Sequence, residues 1–148
     1  MIIMVMAIIC QTSLIAQKVS ADKVPAAVMN AFKAKFPKAV SASWEIEKKD
    51  VYEVNFTDGK QKESAQFEKS GTWQKTEIGI TTAELPTAVA AAFSKAFPGY
   101  KITEAERAET PANKLIYELE AVKGTINAEV QLLPNGEIIA RENISGKD

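Results

Sequence analysis

Apolar and polar residues follow two rhythms along this chain, one near 3.6 residues and one of two, and the rhythms take turns. The first opens in Val24–Pro37, VPAAVMNAFKAKFP, where Val24, Val28, Ala31, Phe32 and Phe36 fall on one stripe of a helix. It returns sixty-one residues later in Leu85–Pro98, LPTAVAAAFSKAFP, with Leu85, Val89, Ala92, Phe93 and Phe97 on the stripe. Pro25 and Pro86 stand in a first turn, where an amide has no partner within the helix, and Pro37 and Pro98 discourage continuation. Thr81 and Glu84 have the spacing of a capping box ahead of the second helix.

The second rhythm predicts strands. Over Val40–Glu47 the apolar Val40, Ala42, Trp44 and Ile46 alternate with Ser41, Ser43, Glu45 and Glu47. Val51–Thr57 follows, with Tyr52, Val54 and Phe56 on one face, and Asp58-Gly59 is a hairpin signal. Lys62–Glu68 puts Ala65 and Phe67 inward. Thr72–Ile80 has mixed parity, with Trp73 on one phase and Thr76, Ile78 and Ile80 on the other. That predicts a bulge or a strand crossing between units. Four more strands are predicted at Lys101–Ala108, Leu115–Ala121, Thr125–Leu133 and Glu137–Ile144. Here the repeat offset is sixty-five: Tyr117, Glu118, Gly124, Gln131, Leu132 and Gly136 answer Tyr52, Glu53, Gly59, Gln66, Phe67 and Gly71. The four extra residues fall in the loop around Glu109–Lys114, which absorbs them cheaply.

Turns this short impose antiparallel neighbours, and clean alternation gives each sheet one apolar and one polar face. The pattern therefore predicts an α+β fold: a tandem repeat of two helix-plus-four-strand units sharing an antiparallel sheet of about eight strands, with the helices on one face. Trp44, Tyr52, Val54 and Phe67, then Tyr117, Leu119, Val130 and Leu132, would meet the helix stripes. Trp73 is assigned to the core, and Tyr100 is the aromatic expected to be exposed. The predicted boundaries are a cleaved signal peptide over 1–16, a first unit over 17–80 and a second over 81–148.

Composition narrows the chemistry. The chain has 148 residues, a net charge of -1 and no histidine. A near-neutral balance gives no reason to expect nucleic acid or an anionic membrane surface. Missing histidine removes the commonest general base and transition-metal ligand. The uncharged stretch MIIMVMAIICQTSLIA is shorter than a bilayer span and reads as a secretory signal with cleavage after Ala16, although no Lys or Arg precedes it. Cys10, the single cysteine, follows Ile9, which is too large for lipoprotein processing. The mature chain would then carry no thiol. No Gly-x-Ser-x-Gly or phosphate-binding glycine loop occurs, so neither an enzyme nor a cofactor is expected.

The doubled P-x-x-V-x-x-A-F-x-x-x-F-P helix, with Trp44-Glu45, Tyr52-Glu53, Gly59, Gly71-x-Trp73 and Tyr117-Glu118, resembles the PepSY-like family of secreted, beta-lactamase-inhibitor-like proteins of Bacteroides-type bacteria. The resemblance spans about residues 20 to 144. It implies a tandem pair of α-β units sharing an antiparallel sheet.

The open polar face is the expected site of function. Ser41, Ser43, Glu45, Asn55, Gln66, Glu118, Asn127 and Gln131 would form a docking platform for a secreted or periplasmic protein, its acidic balance suiting a basic patch. The expected role is a non-catalytic module, an inhibitor or regulator of a secreted enzyme. The alternative is a Ca²⁺-responsive or small-ligand-binding protein in which Glu45, Glu47, Glu53, Glu118 and Glu120 supply oxygen ligands. Without an ion those glutamates would be a solvated face paired with lysines.

Overall fold

The computed structural model describes residues 17–145, so the expected signal peptide lies outside the described residues. In chain order the elements are β1 Gln17–Val19, α1 Ala26–Lys35, β2 Val40–Lys48, β3 Val51–Asp58, β4 Gln61–Glu68 and β5 Trp73–Gly79. Then come α2 Thr87–Ala96, β6 Lys101–Glu109, β7 Ile116–Lys123, β8 Ile126–Leu132 and β9 Ile138–Ser145. All nine strands belong to one antiparallel sheet and lie in sequence order. The fold is α+β. The expected count of about eight strands becomes nine among the described residues because Gln17–Val19 pairs with Trp44–Ile46.

Each helix forms where the apolar stripe says it should, trimmed at both ends. Pro25 and Pro86 cap the helices instead of entering them, and their carbonyls accept from Met29 and Ala90 at 3.0 Å. At the far end Phe36 and Phe97 leave helical geometry, as a residue before proline must. The capping box is real but closes the short 3-10 turn Thr82–Glu84, not α2: Glu84 accepts from the Thr81 amide at 2.8 Å.

Both helices cover the same side of the sheet. The register carries that side from Val54 through Ala65 and Thr76 to Glu109, then along β6 to Ala105, Leu119 and Val130. Val28 and Phe32 of α1 bury against Trp44, Val54, Phe56 and Phe67. Val89, Phe93 and Phe97 bury against Tyr117, Leu119, Val130 and Leu132. Tyr100, expected outside, is half-buried, edge-on to Phe97 with ring centroids 5.6 Å apart.

Two irregularities correct the simple alternation. A bulge between Val40 and Ser43 holds Ser41 at φ 56, so Val40 and Ala42, expected inward, are exposed. The mixed parity of β5 also has its cause in a bulge, where Gln66 pairs with Lys75 but Phe67 pairs with Trp73. Trp73 stays on the helix side, half-buried, with the Lys35 ammonium 3.7 Å from its ring centre and its indole N–H donating to Thr76 at 3.0 Å.

Two glycines set how closely the helices approach the hairpin turns. Gly71 (φ +90) would place a Cβ 2.7 Å from the Ala27 carbonyl oxygen, and Gly136 (φ +87) 2.6 Å from that of Ala88. Both contacts are with backbone, so neither can give way cheaply. Gly71→Ala or Gly136→Ala should each cost roughly 2–3 kcal/mol in urea denaturation. Gly59→Ala and Gly124→Ala, also at positive φ but facing open space, should cost only about 1 kcal/mol.

Candidate functional site

The side of the sheet opposite the helices forms a trough of about 610 Å³ running from β2 to β8. Its rows follow from strand register. One row runs Lys18, Glu45, Glu53, Gln66, Lys75 across β1 to β5, and a matching one runs Gly79, Glu106, Glu118, Gln131, Ala140 across β5 to β9. In each row the glutamine supports a glutamate: Gln66 donates to Glu53 at 3.0 Å, and Gln131 to Glu118 at 3.2 Å. An adjacent row holds Ser43, Asn55, Ser64, Glu77 and Ala108. Ser64 donates to Glu77 at 3.3 Å.

The trough's most buried carboxylates lie where β5, β6 and β7 meet. Carboxylate oxygens of Glu77, Glu106 and Glu118 lie within 4.8 Å of one another there. Glu77 and Glu118 are only 7% and 8% exposed. Such crowding is tolerable because Lys75 reaches over β6, where the intervening residue is the small Ala108, and bonds to both Glu77 and Glu118, the latter at 3.3 Å. Burial opposes the Lys75 charge, but the two carboxylates outweigh it and hold its pKa above the ordinary lysine value. One ammonium does not neutralise three carboxyls. Burial, with Glu77 and Glu104 nearby, pushes Glu106 up to about 8. Burial also lifts Glu118 to about 7, against the pull of Lys75.

These shifts have a sign. The folded protein retains protons on Glu106 and Glu118 that the unfolded chain has released above its ordinary carboxyl pKa of 4.5. The native state therefore binds more protons between about pH 4.5 and 8, and stability falls as pH rises through that window. Stability should fall measurably between about pH 5 and about pH 8.5. Denaturation midpoints flat across the window would disprove it.

The residues expected to act are distributed as follows. Ser43, Glu45, Asn55, Gln66, Glu118, Asn127 and Gln131 sit on the polar side by register. Asn55, Gln66 and Glu118 line the trough itself. Ser41 lies apart, at the bulge, beside a recess on the helix side with Met29 and Phe36. Of the five carboxylates suggested for calcium, Glu47, Glu53, Glu118 and Glu120 line the trough, but only Glu118 belongs to the convergent trio. Glu45 pairs with Glu53 at its margin. Lys75, Glu77 and Glu106, which meet Glu118 in the trough, were not singled out from the sequence. The repeat held a clue to Glu106: an offset of sixty-one places it at Glu45.

Two chemical capacities follow: holding a positively charged group, and exchanging a proton near neutral pH. No helix among the described residues is long and apolar enough to cross a membrane.

Comparison with known proteins agrees with this architecture. A crystal structure of "putative periplasmic proteins" from Bacteroides eggerthii superposes with a TM-score of 0.69 at 22% identity, over 82% of this chain and 90% of that one. A BLIP-like protein from Bacteroides fragilis gives a TM-score of 0.68 at 19% identity, over 84% and 89%. At such identity the likeness speaks for the fold alone. No curated protein matches the chain. The family model described as "Putative beta-lactamase-inhibitor-like, PepSY-like" matches residues 11–51 and 50–140, and this chain belongs to that PepSY-like family.

Proposed function

We propose that this chain is a non-catalytic periplasmic protein-binding module that docks a secreted partner, an enzyme it inhibits or regulates, through the concave polar side of its sheet. The observation that carries this reading is the trough: a preformed surface of about 610 Å³ with no helix over it among the described residues, opposite two helices that brace the sheet. A rigid platform loses little conformational entropy on binding. The repeated helix and the matching Glu-Glu-Gln rows support the further reading that the chain is two copies of one α-β unit. A periplasmic setting agrees with the apolar leader and with the name of the Bacteroides eggerthii neighbour.

The convergence of Glu77, Glu106 and Glu118 favours a second reading, a calcium-responsive protein. Lys75 already occupies that convergence, however, and a metal ion would have to displace its ammonium. One pair of measurements separates the readings. The immobilised chain should capture a defined protein from periplasmic extract, and Asn55→Trp, which fills the trough from an exposed position, should abolish capture while leaving the melting temperature unchanged. Capture indifferent to Asn55→Trp would reject docking through this face. A melting temperature raised by added calcium would instead support the metal reading.

A further inference from the structure

We propose that the occupant of the trough is an extended polypeptide segment carrying lysine or arginine side chains, seated across β6–β9 on a row of glutamates. This deepens the docking reading and rests on it. The register sets Glu104 opposite Glu120, Glu120 opposite Glu129, and Glu129 opposite Glu142. Like charges placed directly opposite in an antiparallel pair are destabilising. Here the arrangement is repeated on four consecutive strands, and no ion pair among the described residues includes any of the four. A face that only needed solubility would intersperse lysines, as Lys18 does beside Glu45.

The imbalance extends to the whole trough. Its lining includes nine glutamates and two lysines, Lys62 and Lys75, in a protein whose net charge is only -1. Lys75 is already committed to Glu77 and Glu118. Compensating cations lie elsewhere: by register Arg107 and Arg141 point to the helix side, where Lys35 also lies over Trp73. The molecule is thus polarised, acidic on the concave side, and complementary to a basic partner.

The geometry distinguishes a peptide from a single ion. Neighbouring strands lie about 4.8 Å apart, so four glutamates in one row span about 15 Å, and none of the four belongs to the convergent trio. An extended segment presents alternate side chains every ~6.7 Å, so three long basic side chains span the four carboxylates. Protons compete for the same surface. Burial, with Glu104 from β6 and Glu129 from β8, raises the Glu120 carboxyl. Glu106 is raised by burial and by Glu77, Glu104 and Glu118, against Lys75. A bound cation displaces those protons, and affinity rises with pH.

The test is calorimetric titration of the chain with a synthetic octapeptide of alternating lysine and serine, at low salt, near pH 6 and near pH 8.5. Binding should be tighter at the higher pH. The triple variant Glu104→Gln/Glu120→Gln/Glu129→Gln should bind about tenfold more weakly, since three ion pairs are lost. Relief of like-charge repulsion should make that variant melt higher than the parent, which excludes misfolding as the cause. Glu68→Gln with Glu137→Gln, away from the row, should leave binding intact. The proposal is overturned by absent binding or by undiminished binding to the triple variant. It is equally overturned by spermidine binding as tightly as the peptide, or by sedimentation showing that a second copy of the chain fills the trough. Should a captured partner be blocked by Asn55→Trp yet indifferent to the triple variant, docking survives and the basic segment does not.

Discussion

Lys75→Met destabilises the protein by about 3 kcal/mol near pH 8 and by far less near pH 5. Methionine keeps most of the stem, so the loss isolates the ammonium. Without it Glu77, Glu106 and Glu118 face each other within 4.8 Å, two of them nearly inaccessible to water. Removing one partner of a buried pair leaves a charge with no compensation, and that costs more than the pair contributes. Near pH 5 Glu106 and Glu118, whose carboxyls burial raises to about 8 and about 7, are protonated, and most of the repulsion is gone. Urea denaturation at both pH values checks this. Equal losses would mean that Lys75 acts by packing alone. The result also bears on metal binding, because a variant lacking the ammonium is the form in which a calcium ion would compete best for the three carboxylates.

Phe32→Ala should cost about 4 kcal/mol, more than Phe93→Ala at the equivalent helix position. Both side chains are buried, at 5% and 3% exposed. Phe32, however, stands edge-on to Trp44, Phe56 and Phe67 at centroid distances of 5.3, 5.2 and 6.4 Å, and tilts against Phe36 at 5.7 Å. Among the described residues Phe93 makes one ring–ring contact, stacking on Phe97 at 5.2 Å, in a cluster whose other members are mostly aliphatic or small. Truncating Phe32 forfeits several ring–ring contacts as well as buried area, and rigid aromatic neighbours collapse poorly into the space left. Chemical denaturation of the two variants side by side gives the order. A larger loss at Phe93 would show that aliphatic packing in the second cluster is the tighter of the two.

Most elements were legible because their causes are local. The helix stripes of Val28, Phe32 and Phe36 and of Val89, Phe93 and Phe97 need only 3.6-residue spacing, and the prolines mark both ends. Strands β2 to β4 and β6 to β9 announce themselves by alternation, their ends within two residues of expectation. β1 escaped because three residues, Gln17–Val19, are too few to show a period. The repeat still pointed to it: an offset of sixty-one sets Lys18 on Gly79, and these two occupy equivalent places beside Glu45 and Glu106. Val40 was misplaced because one bulged residue, Ser41, reverses the phase of what precedes it, whereas Ala42 keeps the side of Trp44 but stays exposed at the recess beside Phe36.

The site was legible in kind but not in membership. Alternation sorted Glu53, Gln66, Glu118 and Gln131 onto the polar side, and the structure joins them in pairs. Lys75 and Glu77 were hidden in β5, whose parity is scrambled by the bulge opposite Phe67. A net charge of -1 concealed the polarity of the molecule, because summing charge along a chain discards the side of the sheet on which each charge lands.

By itself the sequence determined both helices and most of the strands, which side of most strands is apolar, and that a single helix-led pattern recurs along the chain. Periodicity within one element suffices for that, since it depends on neighbours a few residues apart. Only the tertiary structure decided that Glu104, Glu120, Glu129 and Glu142 stand in one row, and that Lys75 reaches Glu118 across an intervening strand. Those meetings depend on the register between strands, which turn lengths and bulges set together, and a shift of one residue would send each glutamate to the other side of the sheet.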